Sequence, residues 1–242
     1  MDNKNTVIRF KELTKKFGNQ IVLNDMNLEI IKGRTTGIVG PNGSGKTTMA
    51  KHLLGLVKPN SGSIHIGGKK LNGHCGYRRD IGYMPQIARY PENMKVSELI
   101  AFIKEIRDGQ NAKEQPLIEY FGLEPELGKR LRNISGGTRQ KVGATLALMF
   151  SPSILILDEP TAGLDPQASH KLKHLIKQEK EQGKTILLTT HIMSEIEELA
   201  DDLIFIVEGN LRYNGPMNEF IENQQEQRLE GAVAKMMERG GK

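Results

Sequence analysis

Gly40-Pro41-Asn42-Gly43-Ser44-Gly45-Lys46-Thr47-Thr48 decides the reading of this chain. It spells G-x-x-x-x-G-K-[ST], a phosphate-binding loop. Before it, Thr35-Thr36-Gly37-Ile38-Val39 is β-prone. Behind it, Thr47 to Leu54 reads as a helix stopped by Gly55. The glycines therefore stand between a strand and a helix N-terminus. Glycine permits the positive φ that wrapping a phosphate requires. Helix-start N–H groups and the helix dipole favour an anion there. Lys46 is expected to reach the β- and γ-phosphates of a bound nucleotide, and the Thr47 hydroxyl to bind Mg²⁺. A chance match is the alternative, and the strand-loop-helix setting argues against it.

Bulk composition narrows the classes. The 242 residues suffice for one large α/β domain or two small ones. Apolar runs such as Ser153-Ile154-Leu155-Ile156-Leu157 fall far short of the ~20 residues of a membrane span. The opening Met1-Asp2-Asn3-Lys4-Asn5 is polar, so no secretory leader is expected. One cysteine, Cys75, excludes an internal disulfide framework and fits a reducing compartment. The net charge of +5 invites a nucleic-acid reading. However, the bases are interleaved with nearly as many acids, and at 5% aromatics there is no stacking platform. Nucleic acid is therefore not an expected partner.

Outward from the loop, Val7–Phe10 and Ile21–Ile30 read as strands, a β subdomain beside the nucleotide. Phe17 could stack on adenine or serve as a core or edge aromatic. Downstream, Ser63–Ile66 and Arg78–Gln86 have strand character. Residues 93–131 turn helical, with Val96, Leu99, Ile100 and Ile103 on one stripe and Leu117, Ile118 and Phe121 on the next; Gln110–Gln115 is the loop-like part. Ser135 precedes Gly136-Gly137 and an apolar helix. That is either a second anion-binding helix start or an ordinary capped helix.

Ser153–Leu157 is a continuous apolar run that ends in Asp158 and Glu159, as a buried parallel strand would. Ligands in such sheets bind beyond the carboxyl ends of the strands. Asp158 there suits Mg²⁺ coordination through water, and Glu159 suits a general base for an attacking water. Unpaired buried carboxylates are costly, which disfavours a bland reading. Thr185–Thr190 is another buried strand, and His191 just past it is either structural or functional. Ser194-x-x-Glu197 has the pattern of a capping box. Leu229, Ala232, Val233, Met236 and Met237 share one helical face, expected to dock on this domain or on a partner copy.

Taken in order, the phosphate loop, Gln86, Ile134-Ser135-Gly136-Gly137-Thr138, Ile154–Glu159, Gly163-Leu164-Asp165 and His191 resemble the ATP-binding cassette (ABC) ATPases over nearly the whole chain. The resemblance implies an α/β P-loop NTPase: an ABC-type ATPase core with an antiparallel β subdomain and a helical signature subdomain. Residues 1–225 would form the ATPase domain, its helical subdomain roughly 90–150, and residues 226–242 a C-terminal amphipathic helix and tail. Phe17 matches the adenine-stacking aromatic. Asn42, Gly43, Gly45, Lys46, Thr47 and Thr48 match the phosphate loop. Gln86 matches the glutamine that contacts Mg²⁺ and the water, in a loop that touches the membrane partner. Ser135 and Gly137 match the signature that covers the γ-phosphate of the other subunit's nucleotide. Asp158 and Glu159 match the Mg²⁺ ligand and catalytic base, Asp165 the loop crossing the dimer interface, and His191 the switch histidine on the γ-phosphate.

The implied function is ATP hydrolysis on the cytoplasmic face of a membrane. The partners would be a second copy and a permease on a separate chain. Thr138 departs from the glutamine most common in the family. Ser135–Lys141 and Thr189–Glu195 are similar to the ATPases of copper-processing and nitrous-oxide-reductase maturation exporters (NosF-like), which implies a periplasmic accessory protein as a further partner. The alternatives are a generic exporter ATPase for drugs, lipids or polysaccharides, and a soluble ABC protein acting on DNA or ribosomes. The stretch between Gln86 and Ser135 has no heptad run of the kind a DNA-repair member would carry.

Overall fold

The computed structural model describes residues 5–107, 109 and 111–240. Most of the polar opening, Met1–Lys4, therefore lies outside the described residues, as do Gln110 of the expected loop and Gly241–Lys242 of the tail. In chain order the elements are β1 (Thr6–Phe17), β2 (Gln20–Ile31), β3 (Thr35–Val39), α1 (Lys46–Leu53), β4 (Ser61–Ile66), β5 (Lys69–Lys70), β6 (Ile81–Met84), α2 (Val96–Ile106), α3 (Glu114–Phe121), α4 (Gly136–Leu148), β7 (Ile154–Asp158), α5 (Pro166–Glu181), β8 (Thr185–Thr189), α6 (Met193–Leu199), β9 (Asp202–Val207), β10 (Asn210–Pro216), α7 (Met217–Asn223) and α8 (Leu229–Gly240). They divide into two compact units, residues 5–77 with 185–240, and residues 78–184.

The first unit holds an antiparallel sheet in the order β2-β1-β4-β5. Strand β1 runs on through Phe17, well past the Val7–Phe10 segment that alternation marks. Its inward face carries Ile8 and Phe10 but then Leu13, because the register with β2 slips between Phe10 and Leu13 and Glu12 takes a φ of 50°. A bulge of this kind resets which face points inward, so simple alternation loses the strand there. In the same unit β3 lies between β8 and β9, parallel to both, and β10 returns antiparallel to β9. All five residues of β3 and of β8 are buried, as expected for parallel strands covered on both faces. Arg34 donates twice to Asp202, at 2.6 and 2.7 Å, which ties the start of β3 to β9 and holds the guanidinium above its usual pKa.

Helix α8 docks in this unit through Leu229, Ala232 and Val233, all buried. The Leu229 N–H donates to the Glu197 carboxylate. This overturns the capping-box reading of Ser194-x-x-Glu197. Helix α6 begins at Met193 behind Ile192, with no side-chain cap, and Ser194 is its second residue. Glu197 instead accepts from the first N–H of α8, a donor that has no intrahelical partner.

In the second unit β6 and β7 pair in parallel, from Ile81↔Ile154 to Met84↔Leu157. The strand expected over Arg78–Gln86 is confined to Ile81–Met84. Gly76–Asp80 forms a 3₁₀ turn whose Arg79 carbonyl accepts from the Arg107 guanidinium at 2.6 Å. A Cβ on Gly82 would lie 2.2 Å from the Ala147 carbonyl oxygen, so glycine is what lets α4 approach β6. Helix α5 buries Ala168, Leu172, Leu175 and Ile176 and opens on Pro166. No helix among the described residues is long and apolar enough to cross a membrane.

Candidate nucleotide-binding and catalytic site

In the first unit the loop from Gly40 to Gly45 joins β3 to α1. Gly45 sits ahead of the helix at φ 110°, and a Cβ there would lie 2.5 Å from Leu23 Cδ2 and 2.9 Å from the Val22 carbonyl oxygen. Glycine is required on both counts. Asn42, Gly43 and Thr47 are exposed, and Thr48 is half-buried. Lys46 folds its ammonium back over the loop and donates to the Gly40 and Pro41 carbonyls at 2.7 and 3.0 Å. Among the described residues the buried Ser44 hydroxyl has no hydrogen-bond partner. An orphaned hydroxyl, an ammonium and a helix start converging on one loop suit a polyanion. The outer flank of the loop borders a cavity of about 610 Å³ that reaches Arg212 and the Met236–Met237 pair of α8.

Strands β3 and β8 are parallel in register Ile38↔Thr189, so the phosphate loop and His191 leave the same carboxyl edge of this pair. His191 is exposed, and Thr190 before it is buried. Phe17 ends β1 in the other sheet of this unit. Its ring is 50% exposed and carries the Lys15 ammonium 4.7 Å from its centroid, so it is no core residue.

The second unit supplies the acids. Asp158 ends β7 and Glu159 follows; both are buried, at 5% and 9% exposure. The Met84↔Leu157 register places Gln86 beyond the same carboxyl edge as this pair. Gln86 itself is exposed. Burial, with the nearby Asp158 charge adding to it, pushes the Tyr83 phenol pKa up. Glu159 takes φ 51°, the left-handed region that costs a β-carbon-bearing residue roughly 1–2 kcal/mol. Its carbonyl accepts from Gln140 Nε2 of α4 at 3.1 Å, which helps hold that backbone. Neither the strained backbone nor the Gln140 contact could be read from the sequence.

Ser135 caps α4, its Oγ accepting from the Thr138 N–H at 3.0 Å. The Ser135 hydroxyl in turn donates to Thr138 Oγ1 at 2.9 Å. The threonine that departs from the common glutamine is thus part of the cap. Ser135 is exposed. A Cβ on Gly137 would lie 3.1 Å from the Gly163 carbonyl oxygen, so the start of α4 and the Gly163–Asp165 loop are packed together. Asp165 caps α5, accepting from the Ala168 N–H at 2.8 Å, and that hydrogen bond holds its carboxylate below the usual range.

Residues 23–162 match the family model described as ABC transporter. The chain belongs to the ABC transporter family. It is similar to the Nod factor export ATP-binding protein I of Burkholderia lata, 36% identical over 222 residues that cover 90% of this chain and 73% of the relative. A solved ATP-binding subunit of an ABC transporter shares 30% identity at a TM-score of 0.88, covering 96% of this chain and 100% of its own. A dimeric structure of a bacterial ABC transporter cassette shares 27% identity at a TM-score of 0.76, over 86% and 98%. The chain is thus an ABC-type ATPase, the ATP-binding component of an ABC transporter, with the P-loop α/β fold that its motifs imply.

Proposed function

We propose that this ATPase closes head to tail with a second copy around two ATP molecules, and that hydrolysis and reopening drive a permease on a separate polypeptide. Support for the dimer comes from the dimeric cassette to which the chain is similar. The observation that carries the catalytic assignment is Glu159: a buried carboxylate at the end of a parallel strand, on a left-handed backbone. Strained backbone of this kind clusters at active sites, and here it coincides with a buried carboxylate at a strand end.

In this reading Phe17 stacks on adenine, and the N–H groups of Asn42–Thr48 with the Lys46 ammonium bind the phosphates. Thr47, Asp158 and Gln86 offer a hydroxyl, a carboxylate and a carboxamide, an all-oxygen set suited to Mg²⁺. The ion, when bound, neutralises charge on the β- and γ-phosphates. Glu159 takes a proton from the attacking water as its oxygen bonds to the γ-phosphorus. The bond to the β,γ-bridging oxygen breaks, and ADP and phosphate result. Gln86 orients the water. His191, with Ser135 and Gly137 of the second copy, holds the γ-phosphate while charge redistributes.

The direction we propose is export, on the strength of the Nod factor export relative. A peripheral position on the cytoplasmic face of the membrane goes with it. A narrower reading, copper processing with a periplasmic accessory protein, rests on the Ser135–Lys141 and Thr189–Glu195 strings alone. Two experiments test the proposal. Glu159→Gln should cut turnover by ~10²–10⁴ and leave ATP binding intact; normal turnover would refute the role of Glu159. Affinity purification from cells should recover a polytopic membrane protein, whereas recovery with ribosomes or DNA would overturn the transporter assignment.

A further inference from the structure

His191 stands on a turn with a buried support that the reaction as described does not use. Thr190 is 2% exposed and Glu195, in the first turn of α6, is 8% exposed. The Thr190 hydroxyl donates to Glu195 Oε2 at 3.4 Å and accepts from the Ile192 N–H at 3.1 Å. A hydroxyl can do both at once. Glu195 N–H donates to the Ile192 carbonyl at 3.1 Å and closes the turn from the other side. The turn that carries His191 is therefore closed through the Thr190 hydroxyl, which in turn touches the buried Glu195 carboxylate. Helix α6 is itself fixed. Ile196 packs so close to β3 that a Cβ on Gly37 would lie 2.7 Å from its Cγ2. Because β3 feeds the phosphate loop, the turn and the loop share one rigid footing within this unit.

A turn that only needed closing could use apolar packing. Burying a carboxylate is costly unless it is hydrogen-bonded or paired, and Thr190 supplies Glu195 with one such bond. We infer that Thr190 and Glu195 are positioning residues that aim His191 at the γ-phosphate. The inference rests on the role proposed above for His191. Thr190 passes the constraint from Glu195 to the Ile192 N–H, and so fixes the backbone that carries His191.

The test is a kinetic cycle on the purified chain. Thr190→Val keeps the shape and removes the hydroxyl. It should lower kcat about tenfold with KM for ATP within about twofold, because misplacement of a group that acts in the transition state costs turnover rather than binding. Thr190→Ser restores the hydroxyl and should recover most of the loss. In a His191→Ala background Thr190→Val should add less than about twofold, since both changes remove one unit. If Thr190→Val fails to fold, Glu195→Met, of similar length but with only a weakly accepting sulfur in place of the carboxylate, is read in the same way. Normal kcat in these variants while His191→Ala is impaired overturns the inference. So does an undiminished loss in the His191→Ala background. Normal turnover in His191→Ala itself would instead overturn the role of the histidine, and the inference with it.

Discussion

Replacing Gly37 by alanine isolates one packing contact that holds α6 against β3. The new Cβ would lie 2.7 Å from Ile196 Cγ2, about 0.7 Å inside the ordinary contact range that begins near 3.4 Å. It would also sit 3.1 Å from Ile196 Cδ1 and 3.3 Å from Ala200 Cβ, so no single rotamer change relieves it. Gly37 carries no left-handed φ, and the cost is therefore steric. Overpacking a filled core costs roughly 1–3 kcal/mol. Taking about 2 kcal/mol, the melting temperature should fall by about 4–8 °C for a chain of this size. Ile196 is fully buried. Ile196→Ala alone should cost roughly 2–5 kcal/mol through the cavity it leaves. Combined, the two changes should partly cancel, because the alanine methyl moves into the space that Cγ2 vacates. Chemical denaturation of the four proteins should show the double variant more stable than the sum of the singles by about 1–2 kcal/mol. Additivity within about 0.5 kcal/mol would mean the two side chains do not compete for that space, and the reasoning would fail.

Two further outcomes follow from the same geometry. Gly45→Ala meets both a φ of 110° and a Cβ position 2.5 Å from Leu23 Cδ2, so backbone strain of about 1–3 kcal/mol should weaken ATP binding about tenfold or more in a fluorescent-nucleotide titration; an unchanged affinity would contradict it. His52 is buried, its Nδ1–H donates to the Thr48 carbonyl at 2.7 Å, and its Nε2 has no partner among the described residues. Burial, opposed by that hydrogen bond and aided by the Lys15 charge, lowers its pKa from 6.5. The unfolded chain thus binds a proton there more readily than the folded one, and stability should fall as pH drops from about 6.5 through the lower folded pKa. His52→Leu should melt with a shallower loss between pH 7.5 and 5.5; an identical pH slope would exclude His52 as the source.

The parts of the fold that could be read in advance were those carried by local pattern. The Gly40–Thr48 loop needs glycines at fixed offsets, and β7 announces itself as an apolar run that stops at Asp158-Glu159. The signature start was legible as an N-cap, and Ser135 makes that hydrogen bond. Features set at long range were not. Glu197 sits in a capping-box spacing, yet it serves Leu229, a residue 32 positions later. The bulge at Glu12 moves the inward face of β1 by one residue, which hides a long strand behind broken alternation. Arg78–Asp80 reads as continuous with β6, but a side chain from α2's end, Arg107, takes its carbonyls into a turn. The left-handed Glu159 and the Thr190–Glu195 link depend on neighbours that no short window reveals.

The most direct test of the account is whether the phosphate loop is half of a site. In a Glu159→Gln background, which should bind ATP without turning it over, light scattering should show ATP-dependent dimers. Adding Ser135→Glu should return the protein to monomer, because the carboxylate would face the γ-phosphate held by the other copy and like charges repel. Nucleotide affinity should stay within about twofold, since Ser135 meets only the other copy's nucleotide. Dimers that persist in the double variant with ATP bound would contradict a composite site.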